Sequence, residues 1–576
     1  MRKEILWLEA DPRSPEQGQY GFLQDLVRHV AYETLSRRDR HVRHVAAAQY
    51  LASALAEDEV AEVIASHLVE AYRTASDDDA PELRGRAREA LVRAAERAQG
   101  LGAMTEAQRY VERAVELAPE PAAEAFLLHW AGSLAWRANR PVEARGLLER
   151  AHTAFVKIDD TAAAARSSLI LGEIDFSEGH AAAAVERLSD AVATLSARES
   201  DADYAAAVAQ LARFLGLSGD HDRADRYVDE ALALAEALDL PEVLASGLNT
   251  RANLLLRRDR PQEAKVLLEG ALRIAREHEL HTVGLRSTNN LLVTLDTLDR
   301  VAEQLPIMID AIELARRAGD RSWDILLKAG LAAGLANLGR WNEALAVYAE
   351  LGDNASTALQ QISVLDIVPL HCERGDVGLA RALFSSLSLL EDSDDSQVVI
   401  VRALAEVNLL RAEGDLEAAQ RAADHALTLR DELGVTFSAV KLAAAEVLET
   451  ALARRDEARV EEVLALIDAL RPGERTPLWR AIRARYGARL AALRDEDADA
   501  GFRSATALYD DLGFVFPAAA TRLEHAEWLI TQRRTEEAAS LLAEAGATFE
   551  ELGAQPWLER LGQTTALART GVEATA

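Results

Sequence analysis

The chain has 576 residues, 49% hydrophobic and 28% charged, proportions that exclude wholesale disorder and fit either several ordinary domains or one long repeat array. Its 95 acidic residues against 64 basic ones leave a net charge of −31, which repels a phosphate backbone and excludes nucleic acid as a general partner. A lone cysteine, Cys372, cannot form an internal disulfide, and no apolar run reaches the roughly 18 residues of a membrane span, so no membrane partner and a cytoplasmic protein are expected. Roughly a fifth of the residues are alanine and only 5% are aromatic, a balance that favours helices over sheets.

Glu4 to Leu8 reads as a strand, Pro12 to Gly18 as a turn and Gln19 to Gln24 as a returning strand. A helix then starts at Asp25, with Leu26, Val27, Val30, Ala31 and Leu35 on one apolar face. Two strands alone are marginal in water, so the hairpin is expected to lean on the following helices or on a preceding domain. His29, His41 and His44 lack the convergent third or fourth ligand that zinc needs, and read as a polar helix face. The basic run Arg37, Arg38, Arg40 and Arg43, diluted by Asp25, Glu33 and Asp39, reads as a contact to a neighbouring domain rather than to DNA. Asp77 to Pro81 is a loop and helix start, with proline tolerated in the first turn, and Gly100-Leu101-Gly102 is a turn between repeats.

From there the chain repeats. Ala191-Val192 and Leu195 recur as Ala231-Leu232 and Ala235, Ala271-Leu272 and Ala275, and Ala311-Ile312 and Ala315, at the same step each time. A Glu-Ala or equivalent marker precedes these blocks at Ala107, Ala144, Ala224, Ala264, Ala344, Ala418, Ala458 and Ala538. Polar turns stand before it at Gly219-Asp220, Asp259-Arg260, Asp299-Arg300, Gly339-Arg340 and Gly414-Asp415, where the left-handed conformation ends one helix and reverses the chain. Apolar residues at i, i+3, i+4 and i+7 make each block helical. The expected fold is all-α, an α-solenoid of about twelve helical hairpins in which each repeat contacts only its neighbours. Leu338-Gly339-Arg340-Trp341-Asn342-Glu343-Ala344 with Tyr348 resembles the heart of a tetratricopeptide repeat, although the usual period is shorter.

Candidate chemistry is sparse. Cys372 and His371 are adjacent and so face different ways on a helix, which favours a core cysteine over a nucleophile pair. Glu391 to Gln397 and Arg471 to Glu474 read as solvated loops, and the tail after Leu561 loses periodicity and is expected to fray. Asn249 and Asn253 are i, i+4 on one predicted first helix, and Asn289-Asn290 holds the equivalent place one repeat later. Asparagines there can bond a peptide backbone or carboxylate, and Arg251 and Arg286 could add charge-assisted bonds to an acidic ligand. These six residues are the candidate partner-binding set, with solvated helix faces as the bland alternative. No catalytic, cofactor-binding or metal site is expected.

The segment from Gln19 through Tyr20-Gly21-Phe22-Leu23-Gln24-Asp25-Leu26-Val27-Arg28-His29 to Arg38 resembles one in bacterial signal-transduction ATPases with numerous domains, where it forms the wing and final helix of a winged-helix module after the ATPase. The likeness is closest to the branch with an amino-terminal adenylate/guanylate cyclase domain, and the LuxR-type large regulators are related. Phe549-Glu550-Glu551-Leu552-Gly553 through Arg560 resembles the closing repeat of both branches. The resemblance implies a winged-helix remnant over 1–45, a helical connector over 46–100, a tetratricopeptide-like repeat superhelix over 101–562 and a frayed tail over 563–576. It further implies that the repeats bind a protein or effector on a concave face and regulate an ATPase or cyclase module. ATP and Mg belong only to that module, amino-terminal to residue 1, and Met1 would then be internal to a longer protein. None of the five lysines follows a glycine, so the chain carries no GxxxxGK[ST] phosphate loop. Three alternatives remain: a piece of a split or truncated cyclase, a LuxR-like transcription regulator lacking its DNA-binding domain, and a solenoid that serves only as an assembly scaffold.

Overall fold

The computed structural model describes all residues except 1–5, 9–19, 23–24, 55–59, 197–200, 352–360, 362–364, 388–389, 391–392, 394 and 574–576. Leu6–Leu8 and Tyr20–Phe22 pair antiparallel, Leu6 opposite Phe22 and Leu8 opposite Tyr20. The expected turn over Pro12 to Gly18 lies outside the described residues, as does most of Glu391 to Gln397 up to the helix that starts at Ser396. All other regular structure among the described residues is helical.

The helices are α1 (Asp25–Glu33), α2 (Arg37–Ala54), α3 (Ala61–Arg73), α4 (Ala80–Gly100), α5 (Met104–Val115), α6 (Pro121–Arg137), α7 (Pro141–Lys157), α8 (Thr161–Ser177), α9 (Ala181–Ser196) and α10 (Ala202–Leu217). There follow α11 (His221–Ala237), α12 (Pro241–Leu256), α13 (Pro261–Glu277), α14 (His281–Thr297), α15 (Val301–Arg317), α16 (Arg321–Asn337) and α17 (Trp341–Ala349). Then come α18 (Val368–Arg374), α19 (Val377–Ser386), α20 (Ser396–Glu413), α21 (Leu416–Thr428), the single turn α22 (Arg430–Leu433), α23 (Ser438–Ala453) and α24 (Glu457–Ala469). The chain closes with α25 (Pro477–Leu493), α26 (Asp499–Leu512), α27 (Val515–Thr531), α28 (Thr535–Leu552) and α29 (Gln555–Glu573). The residues expected to fray after Leu561 are therefore helical as far as Glu573.

Local chemistry sets the repeat. The turn inside successive hairpins falls on Asn139, Gly179, Gly219, Asp259, Asp299 and Gly339, all at positive φ and evenly spaced along the chain. Only glycine, asparagine and aspartate visit that region routinely. One residue later, Asp220, Asp415 and Asp456 cap the second helix by accepting the amide N–H of Arg223, Ala418 and Arg459. Just beyond each turn Ala107, Ala144, Ala224, Ala264, Ala344 and Ala538 have no exposed surface, so the paired helices approach to the width of a methyl group. Two of the expected markers are misplaced: Ala418 and Ala458 are not buried, and Ala419 and Val460, at the same offset from the Gly414 and Arg455 turns as the other alanines, hold the place.

The chain divides into two compact units, Met1–Ala207 and Val208–Ala576. Within unit 2, consecutive first helices (α12 with α14, α20 with α23, α23 with α25) touch more than consecutive second helices do, which curves the array toward the first-helix side.

The expectation that repeats contact only their neighbours fails in unit 2. Lys441 and Leu478 bond Asp299, Arg471 pairs with Asp259 at 2.6 Å, and the Trp557 indole N–H donates to Glu373 at 2.5 Å across 184 positions. A side chain on Gly339 would strike Val515, and Trp341 packs on Phe516 with ring centroids 5.2 Å apart. Val301 joins the apolar core of α20 to α27, and Leu305, Leu335 and Trp341 join that of α25 to α29. The physical reason is curvature: the array turns tightly enough for its in-hairpin turns to meet the starts of helices far along the chain, as Asp299 meets Leu478 at the start of α25.

Candidate binding face on the first helices

Of the six sequence-picked residues, the structure brings Asn249 and Asn290 together. The Asn290 amide donates to the Asn249 side-chain oxygen at 2.8 Å, so this pair ties α12 to α14, and Asn249 is buried. Arg251 is also occupied, bonding Asp229 and lying 3.9 Å from Asp225, both on α11. Asn253 lies one turn beyond Asn249, Asn289 precedes Asn290, and Arg286 stands one turn before it; all three are half-buried.

A larger constellation on the same face escaped the sequence reading. Charges alternate from one first helix to the next: Arg411 on α20, Glu446 and Glu449 on α23, Arg485 and Arg489 on α25, Glu524 and Glu527 on α27, Arg560 on α29. Arg411 pairs with Glu446 at 2.7 Å and Arg489 with Glu449 at 2.5 Å. Arg485 grips Glu524 with two parallel bonds of 2.9 and 2.7 Å, and Arg560 grips Glu527 likewise at 2.8 and 2.6 Å. The Tyr486 hydroxyl donates to Glu449 at 3.0 Å. Burial opposes ionisation at Glu449 and Glu524, but the arginines beside them prevail and hold both carboxyls below the usual range, Glu449 well below it. The readable signal was the sign change at the repeat period, which appears once α20 to α29 are aligned by their turns.

Elsewhere on this side of unit 2 the surroundings favour neutral carboxyls. Burial pushes Glu373 up despite the nearby Arg411. Crowding by the protein raises Asp296 and, with the like charge of Asp296, lifts Asp366 to about 7, although solvent still reaches the Asp366 side chain.

The remaining candidates are tied into the packing of their helices. Burial pushes the Cys372 thiol up to about 12, far from a nucleophilic thiolate. In unit 1 the Tyr32 hydroxyl meets His44 Nε2 at 3.0 Å, His44 Nδ1 meets His67 Nδ1 at 2.9 Å, and His41 Nδ1 lies 3.1 Å from the Ala71 carbonyl. Arg37 donates to the Ala75 carbonyl, and Arg40 lies over the Tyr32 ring and 3.6 Å from Glu33. This histidine and arginine face thus knits α1 and α2 to α3 and the turn after it. No group of three or more His, Cys, Asp or Glu among the described residues is arranged to hold a metal ion. No described helix is long and apolar enough to cross a membrane.

No protein-family model and no characterised protein sequence matches the chain. Solved structures do. A Rap protein complexed with competence and sporulation factor aligns at 12% identity over 66% of this chain and 99% of its own, with a TM-score of 0.40. The human IFIT1 dimer with m7Gppp-AAAA aligns at 15% identity over 71% and 90%, with a TM-score of 0.39. A signal-transduction ATPase with numerous domains and a tetratricopeptide repeat sensor, from Pyrococcus horikoshii, aligns at 13% identity over 60% and 58%, with a TM-score of 0.33.

Proposed function

We propose that the chain is a non-catalytic, tetratricopeptide-like regulatory region that binds a protein, peptide or effector on its first-helix face within a bacterial cytoplasmic signalling ATPase or nucleotide cyclase. The observation that carries this reading is the polar face itself. Successive first helices of unit 2 carry hydrogen-bonding side chains in register, and beside the Asn249–Asn290 pair lie the half-buried Asn253 and Asn289, residue types that support bonding to an extended backbone. In the same reading residues 1–45 are the winged-helix remnant, residues 1–100 dock on the ATPase, and ATP and Mg belong to the ATPase or cyclase module.

The test is selection of peptides from a random display library on the purified chain, followed by titration of the selected peptides. Asn253→Ala combined with Asn289→Ala weakens binding at least roughly tenfold, the equivalent of about 1.4 kcal/mol, while leaving helical content unchanged. Equal binding by wild type and the double variant would remove the first-helix face from the proposal.

A further inference from the structure

Asp299 differs from its counterparts in the other turns. Its φ of +61° suits the left-handed region, as at Asp259, but Asp259 is exposed whereas Asp299 is only 5% exposed. Both of its carboxylate oxygens are satisfied by distant parts of unit 2. Oδ1 takes the Lys441 ammonium at 2.5 Å and Oδ2 takes the backbone N–H of Leu478 at 2.7 Å. Lys441 also donates to the Thr297 carbonyl at 3.1 Å, and its side chain has no exposed surface. Around this pair runs a seam. Arg471 meets Asp259 at one end, Gly339 and Trp341 lie against Val515 and Phe516 in the middle, and Gly375 and Glu373 meet Pro556 and Trp557 at the other.

We propose that unit 2 opens and closes along this seam, with Asp299 and Lys441 as its latch. Within and between neighbouring hairpins the helices are joined by alanine and leucine cores, and at the seam Val301, Leu305, Leu335 and Trp341 enter those cores too, so exposing either to water carries an unrelieved cost. A buried ion pair is different. Its attraction is largely offset by desolvation, and parting the turns rehydrates both ions, so the pair resists opening far less than its contacts suggest. Separation of the stacked turns is therefore opposed mainly by those few seam side chains, and the pair decides which turns meet when the seam closes. The latch stands whether or not the first-helix face binds a partner; where that reading holds, the seam governs how a partner reaches the face.

Nitroxide labels on thiols introduced at Gln262 and Arg480, both exposed and on opposite sides of the seam near its Asp259–Arg471 end, report its width there by pulsed electron resonance. The buried Cys372, with its raised thiol, stays unlabelled. Asp299→Gly keeps the turn conformation and removes both acceptors. It should lengthen and broaden the 262–480 distance distribution by roughly 3 Å or more, the room one intervening water needs. Lys441→Met, which strands the aspartate, should do the same, and it decides the matter if Asp299→Gly loses its helical circular dichroism. The Asp299→Asn, Lys441→Met double variant retains an acceptor for Leu478 without a buried charge and should return the wild-type distribution. A wild-type distribution in both single variants would overturn the latch, as would an opened double variant.

Discussion

Removing the Glu524 charge tests what holds the carboxy-terminal hairpins together. The Glu524 side chain is 3% exposed and Arg485 is 9% exposed; they share two bonds, Arg489 lies 3.4 Å from Glu524, and Glu449 lies 3.6 Å from Arg485. Two arginines thus face two glutamates. Glu524→Gln leaves two buried cations against the one anion of Glu449, and breaking a buried pair in this way costs about 3–5 kcal/mol. Taking about 3 kcal/mol, amides of α25 and α27 that exchange through opening of these hairpins should exchange roughly 150-fold faster, since each 1.4 kcal/mol is a factor of ten. Hydrogen exchange is the suitable assay, because a long array does not unfold in one step and its midpoint mixes many openings. Arg485→Met should cost a similar amount, whereas Arg485→Met with Glu524→Met removes both charges together and should lie within about 1–2 kcal/mol of wild type. The reasoning is refuted if Glu524→Gln leaves exchange in α25 and α27 unchanged, or if the double variant loses as much as the two singles summed.

Gly270 has open space where a side chain would go, so Gly270→Ala should stabilise α13 by about 0.5–1 kcal/mol through helix propensity alone, measurable as slower local exchange. At Gly132 a new Cβ would lie 2.6 Å from Leu148 Cγ, and Gly132→Ala should instead destabilise the α6–α7 hairpin, an overpacking cost of about 1–3 kcal/mol exceeding the propensity gain of about 1 kcal/mol. Burial holds His44, His67 and His152 below their usual 6.5, and burial with Arg166 nearby holds His129 at about 4. The unfolded chain binds those protons more readily, so this stabilisation of unit 1 is complete above pH 6.5 and is lost as the pH falls toward 4, with His129 alone contributing on the order of 3 kcal/mol. Glu449 and Glu524, held low by their arginines, stabilise unit 2 above their unfolded values near 4.5 and cease to do so only below that. Burial holds His371 and His525 of unit 2 low in the same way, so acidification from pH 7.5 to 5 should accelerate exchange around His129, with its larger shift, before exchange in α25; the reverse order would contradict the assigned environments.

The repeat was legible because its signals are local. A left-handed turn favours glycine, asparagine or aspartate, the following aspartate caps a helix, and a close helix pair favours alanine, so Gly219, Asp220 and Ala224 announce themselves within one short stretch, although Arg455 and Arg533 hold the same turn elsewhere. Asn249 and Asn290 were correctly placed on equivalent helices, but their 2.8 Å bond to each other shows the spacing serving to stitch repeats. The alternating charges of Arg411, Glu449, Arg485 and Glu524 were hidden by an acidic composition in which single charges on helices look solvated. The meeting of Asp299 with Lys441 and Leu478 left no trace at all. It depends on small rotations accumulated over several hairpins, and no spacing in the sequence encodes their sum.

That meeting also fixes how this array could have grown. An open solenoid tolerates the gain or loss of a hairpin almost anywhere, because each unit answers only to the next. Between Asp299 and Leu478 such an event would carry every downstream turn out of phase, leaving a carboxylate facing the wrong helix and Trp341 without Phe516. Length variation among related chains should therefore be confined to segments outside that interval, and fragments cut within it should lose solubility even when the cut respects a repeat boundary.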